Sequence, residues 1–154
     1  EKNSVSDILL IHVLEHLGKD VEIYFGIFKE MYRICTHGTK IKIVVPHFRH
    51  EHFYDDPTHV RVVTPLGLKL FSKRLNRIWI EQGLSNSTLG LYLDIDFELT
   101  KISIKPSSDW FIMHPGTNVD LDLLQQESNI YNNLIEEYEM MLQVCKISNL
   151  AEVK

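Results

Sequence analysis

One stretch, Ile8-Leu9-Leu10-Ile11-His12-Val13-Leu14-Glu15-His16-Leu17, restricts the fold more than any other part of the chain. A short, unbroken apolar run is the signature of a strand buried on both faces. This run ends abruptly in His12, Glu15 and His16. Open α/β sheets build their sites by discharging polar groups at the carboxyl ends of buried strands.

The next segments fit such a sheet. Gly18-Lys19-Asp20 reads as a turn, with Asp20 as a helix N-cap. Val21, Phe25, Phe28, Tyr32 and Cys35 recur at helical spacing, and Ile27, Met31 and Ile34 widen the stripe. Gly38 is placed to end that helix as its C′ residue. Lys40–Val45 then reads as a second strand, closed by Pro46. Strand, helix and strand over about forty residues make a βαβ unit, so the two strands are expected to be parallel neighbours.

A long polar connection runs from His47 to Arg61, and connections of that length are functional or mobile. Thr64-Pro65 has N-cap and N1 chemistry, with Leu66, Leu70 and Phe71 as the expected buried side. Residues 75–83 read as a short amphipathic piece stopped by Gly83. From 91 to 99 apolar and polar residues alternate, which predicts a strand with one wet face bearing Asp94, Asp96 and Glu98. The phase changes at Lys101, as a β-bulge would require. Residues 106–119 read as loop and 120–134 as weakly helical. The segment 136–147 fits both period two and period 3.6; it is assigned as a strand because the preceding edge strand needs an antiparallel partner.

Composition narrows the classes of function. The 154 residues carry a net charge of −5, with no basic stripe, so phosphate neutralisation of a nucleic acid is not expected. No apolar run approaches the ~20 residues of a membrane span. Cys35 and Cys145 are far apart and lack metal-ligand spacing, and they read as buried thiols of a reducing, cytoplasmic compartment.

Several of these segments together resemble one family, the class I S-adenosylmethionine-dependent methyltransferases. Ser4–Ile8 through His12-Val13-Leu14-Glu15-His16-Leu17 is similar to that family's fourth-strand motif. Glu30-Met31-Tyr32-Arg33-Ile34 with His37-Gly38-Thr39 resembles its E-x-x-R helix end, and Ile43-Val44-Val45-Pro46 its fifth strand. Asp56-Pro57-Thr58-His59-Val60-Arg61-Val62-Val63-Thr64 resembles a D-P-T-H-x-R segment of one branch. Ser6 stands where a carboxylate is common, and Thr39 replaces a second glycine. The similarity is close over residues 4–75 and loose beyond.

The resemblance implies an α/β fold: a partial Rossmann-like methyltransferase sheet, with a parallel βαβ unit and a C-terminal antiparallel hairpin. It implies S-adenosylmethionine as cofactor, held in part by Ile11, His12, Val13, Glu15 and His16, with His12 as the catalytic base. It places His47, Asp56, His59 and Arg61 on the side of a small-molecule or protein substrate. The family's glycine-rich first loop and ribose-binding acid have no counterpart upstream of residue 8. The expectation is therefore a single domain over 1–154 that represents a truncated, C-terminal half, inactive by itself.

Other readings of the same residues stand beside this one. Glu15 and His16 also suit a scaffold role, Glu15 capping the next helix. A non-catalytic, degenerate methyltransferase fold used as an interaction module is the second hypothesis; separately, strand 8–14 is expected to pair as an unprotected edge, in a homodimer or with a missing segment. His47, His50, His52, Asp55, Asp56 and His59 have metal-ligand chemistry, but no fixed element presents them, so no metal is assigned.

Overall fold

The computed structural model describes residues 1–146. β1 (Val5–Ile11) leads through one 3-10 turn (Leu14–His16) to α1 (Val21–Ile34) and β2 (Cys35–Pro46). α2 (Glu51–Asp55), α3 (Pro65–Lys69), α4 (Lys73–Glu81) and α5 (Leu89–Tyr92) come next, then β3 (Phe97–Pro106), α6 (Ser108–Met113), α7 (Leu121–Ser128) and β4 (Ile135–Val144). The strands form one sheet in the order β1-β2-β4-β3. β1 and β2 are parallel, and β4 runs antiparallel to both of its neighbours. The α/β class, the βαβ unit and the terminal hairpin match the sequence expectation. Ile147, the expected end of the last strand, lies outside the described residues, as does the rest of the 1–154 domain beyond 146.

One face of the sheet is covered. Ile41, Ile43 and Val45 of β2 and Tyr138, Met140, Leu142 and Val144 of β4 are buried against Tyr24, Phe28 and Met31 of α1 and against Leu68 and Phe71. Phe28 stacks on Phe71 at a centroid distance of 4.1 Å, and its edge meets Phe97 of β3 at 5.7 Å. Burying a side chain such as Phe28 contributes about 1.5–3 kcal/mol. The other face carries Leu9, Ile11, the Lys42–Glu139 ion pair (2.9 Å) and Met141. A second, smaller core of Trp110, Leu124, Leu134 and Ile135 joins α6 and α7 to the start of β4.

Several local expectations are corrected. β1 is not buried on both faces: Leu9 is 69% and Ile11 44% exposed, because β1 lies at the sheet edge with its second face uncovered. α1 ends at Ile34, not at Gly38, and the chain turns directly into β2 at Cys35. Gly38 has φ +81° and sits where the β1–β2 register shifts between Val5 and Asp7, so its left-handed conformation serves an irregular strand start. Asp20 occupies the N-cap of α1 without a side-chain hydrogen bond. Leu66 is exposed, and Leu68 takes its place in the core.

Residues 91–95 are not strand. α5 is set by Gly90, whose backbone lies against Phe71; a Cβ there would fall 2.7 Å from the Phe71 carbonyl oxygen. β3 starts at Phe97, and the phase change near Lys101 is a true register shift between Leu99 and Lys101. Asp94, Asp96 and Glu98 do not form a merely solvated face. They gather at the start of α4: Asp94 pairs with Lys73, Asp96 accepts the Lys73 amide at 2.9 Å, and Glu98 accepts the Ser72 hydroxyl at 2.7 Å. The expected loop after 106 contains α6, capped by Ser107. Cys35 is buried, Cys145 is half-buried, and both are free thiols.

Candidate functional site

The site is assembled at the carboxyl end of β1. The His12 amide donates to the Val44 carbonyl at 2.9 Å, the last tie to β2. His12 then adopts φ +52°, which turns the chain out of the sheet at a cost of roughly 1–2 kcal/mol for a residue with a Cβ. One 3-10 turn comes next, and Leu14 drops into the core. The segment after α2 closes over this turn, with the amides of Val60 and Arg61 donating to the Glu15 carbonyl at 2.9 and 3.1 Å. That closure buries the Glu15 side chain, which is 1% exposed.

Among the described residues neither carboxylate oxygen of Glu15 has a hydrogen-bond partner. Two imidazole nitrogens lie near it: His12 Nδ1 at 3.5 Å and His59 Nε2 at 4.0 Å, both from Oε1. The other nitrogen of His12, Nε2, lies 3.2 Å from Glu137 Oε1 on β4. His12 is therefore flanked by two carboxylates.

The tautomers of the two remaining histidines follow from their partners. His59 Nδ1 lies 2.8 Å from the Phe53 carbonyl, an acceptor only, so Nδ1 carries the proton. The Thr58 hydroxyl and amide both donate to Asp56 Oδ1, at 2.6 and 2.8 Å, and these bonds hold the Asp56 carboxyl below its ordinary pKa. The Thr58 proton is thus committed to Asp56, and His16 Nδ1, 2.8 Å from Thr58 Oγ1, must donate. In their neutral forms both rings leave Nε2 as a lone pair. The rings lie 4.5 Å apart, and Glu15, His16 and His59 present ligand-type atoms all within 4.8 Å of one another.

Of the residues expected from the sequence, His12, Glu15, His16 and His59 come together. Ile11 and Val13 flank them along the chain, Ile11 on the exposed face. Asp56 acts on the cluster through Thr58. His47 is buried away from it, with Nε2 3.1 Å from the Tyr138 hydroxyl. Arg61 donates to the Gly18 carbonyl at 2.6 Å and lies 4.1 Å over the Tyr24 ring, so its guanidinium holds the β1–α1 turn. Burial, offset in part by Arg61, raises the Tyr24 hydroxyl to about 12. His50 caps α2 by accepting the His52 amide. Glu137, Thr58 and Phe53 are not legible as site residues in the sequence. Glu137 arrives through the β2–β4 register, and only the Asp-Pro-Thr turn hints at Thr58.

No family model and no curated protein matches this sequence. Solved structures do match. A structure described as a SAM dependent methyltransferase from Archaeoglobus fulgidus aligns at TM-score 0.55 and 17% identity, over 92% of this chain and 60% of that one. The YcgJ protein of Bacillus subtilis aligns at TM-score 0.47 and 11% identity, over 96% of this chain and 66% of that one. This chain therefore spans less than two thirds of the length of the archaeal structure, and it shares the fold of that methyltransferase.

Proposed function

We propose that the chain serves S-adenosylmethionine-dependent methyl transfer, with Ile11–His16 as one wall of the cofactor cleft and His12 as the base for the methyl acceptor. One observation carries this reading: in a methyltransferase-type fold, His12-Val13-Leu14-Glu15-His16 stands at the carboxyl end of β1, on the rim where open α/β sheets place ligands. The residues present fit one wall of such a cleft. Ile11 offers exposed apolar surface to a flat ring, and Glu137 and His12 offer acceptors to hydroxyl or cationic groups. When bound, S-adenosylmethionine supplies an electrophilic methyl group.

The chain's own part is positioning and proton handling. Glu15 and Glu137 flank the His12 ring, and His12 takes the acceptor's proton once one nitrogen turns toward it. His59 and, through Thr58, Asp56 border the acceptor side. Arg61 steadies the neighbouring β1–α1 turn. Titrating the isotope-labelled chain with S-adenosylmethionine at millimolar concentration should shift the amides of Ile11–His16. A spectrum unmoved there rules the reading out.

A second reading, an interaction module, is favoured by the exposed Leu9 and Ile11 on an edge strand. It predicts concentration-dependent association with no response to the cofactor.

A further inference from the structure

We propose that Glu15, His16 and His59 form a binding site for one divalent cation of the zinc class. The proposal does not depend on the methyl-transfer reading. Its starting point is the buried Glu15 carboxylate, whose two oxygens lack any hydrogen-bond partner among the described residues. An ionised carboxylate so placed is costly unless a cation or donor meets it. Two imidazoles stand beside it, and one ligand-type atom of each and one of Glu15 lie within 4.8 Å of one another. Tetrahedral zinc with bonds near 2.1 Å sets its ligand atoms about 3.4 Å apart, so atoms now up to 4.8 Å apart draw in by as much as about 1.4 Å to close the site.

The outer partners are those of metal-ligating histidines. Such a ring donates its far N–H to a carbonyl or a carboxylate-linked group, which fixes the tautomer and raises ligand basicity. His59 Nδ1 does this to Phe53, and His16 Nδ1 does it through Thr58 to Asp56. Both Nε2 lone pairs are then available without loss of a proton. One carboxylate and two neutral imidazoles make a two-histidine, one-acid donor set, which suits zinc and leaves a fourth position for water. The string His-x-x-Glu-His also occurs on helices of zinc peptidases, where both of its histidines ligate. Here the left-handed His12 and a single 3-10 turn break that helical spacing, and His59 replaces the first histidine. A bound ion would pin the 56–61 segment to the end of β1.

The test is zinc titration of the full chain, freed of any histidine tag, against a chromophoric chelator, with cobalt absorption as a second readout. We expect one equivalent of zinc, a tetrahedral cobalt spectrum and a melting temperature raised by zinc and returned by EDTA. H59Q and E15Q should each weaken binding tenfold or more, and D56N, acting through Thr58 and His16, by roughly tenfold. H52Q, outside the cluster, should bind as the parent does. If E15Q does not fold, H59Q and D56N decide the matter. No binding beyond adventitious zinc that gel filtration removes would overturn the proposal. So would binding that H59Q and D56N leave unchanged.

Discussion

At the scale of single residues, His47 shows how a side chain on a polar loop becomes a titrating element of stability. Its Nδ1 accepts the Arg49 amide at 3.2 Å, so in the neutral ring Nε2 carries the proton toward Tyr138. Burial first, then the charges of Arg49 and His50, push its pKa down from 6.5 to about 4. Between those values the unfolded chain binds a proton that the folded chain refuses. Stability is therefore complete above the unfolded pKa and falls as pH drops from 6.5 toward 4. Burial moves His50 in the same direction. H47Q keeps an uncharged polar group there, and its urea midpoint should vary less across that window than the parent's. Equal pH slopes would remove His47 as the cause. The role of His47 is not legible in the sequence, because its partner lies 91 residues away. Arg61 is hidden for the same kind of reason, since its target is a backbone carbonyl. His12, Glu15 and His16 are legible because chain-local geometry, a strand ending in a tight turn, gathers them.

At the scale of elements, sequence patterns are reliable where one element supplies its own periodicity. α1, the parallel pair and the β3 bulge all leave clear traces. The alternation over 91–95 misleads because Leu93 and Ile95 are buried from a turn rather than from a strand. The start of β2 at Cys35 is hidden because the helical stripe runs straight into it. The apolar run of β1 suggests two covered faces, yet Leu9 and Ile11 stand on the open one. Among the described residues β1 is thus an edge strand with apolar side chains on its open face, a template for pairing with a second copy. The expected result is self-association that L9K abolishes, since Lys on an edge strand opposes pairing while Leu9 contributes little to the core. Light scattering decides: a monomeric parent, or an L9K variant that associates as strongly, refutes the edge as an interface.

At the scale of the whole molecule, the two cores divide the labour. The larger one ties α1, the region of Leu68 and Phe71, and all four strands into one unit, and it carries the rim on which His12 sits. The smaller one, around Trp110, is linked to the larger through Ile104. A site fixed by β1, β2 and β4 should therefore survive opening of α6 and α7. Phe28→Ala removes a ring wedged between Phe71 and Phe97 and should lower global stability by roughly 3–5 kcal/mol. Its effect should reach the slowest-exchanging amides of β2 and β4 alike. Trp110→Ala should act differently. Hydrogen exchange should accelerate across 108–128 while the protected amides of Ile41–Val45 change little, because the smaller core can open below the global unfolding energy. If Trp110→Ala strips protection from β2 as fully as Phe28→Ala does, the two cores are one cooperative unit, and the rim at His12 depends on α6 and α7 as much as on its own strand.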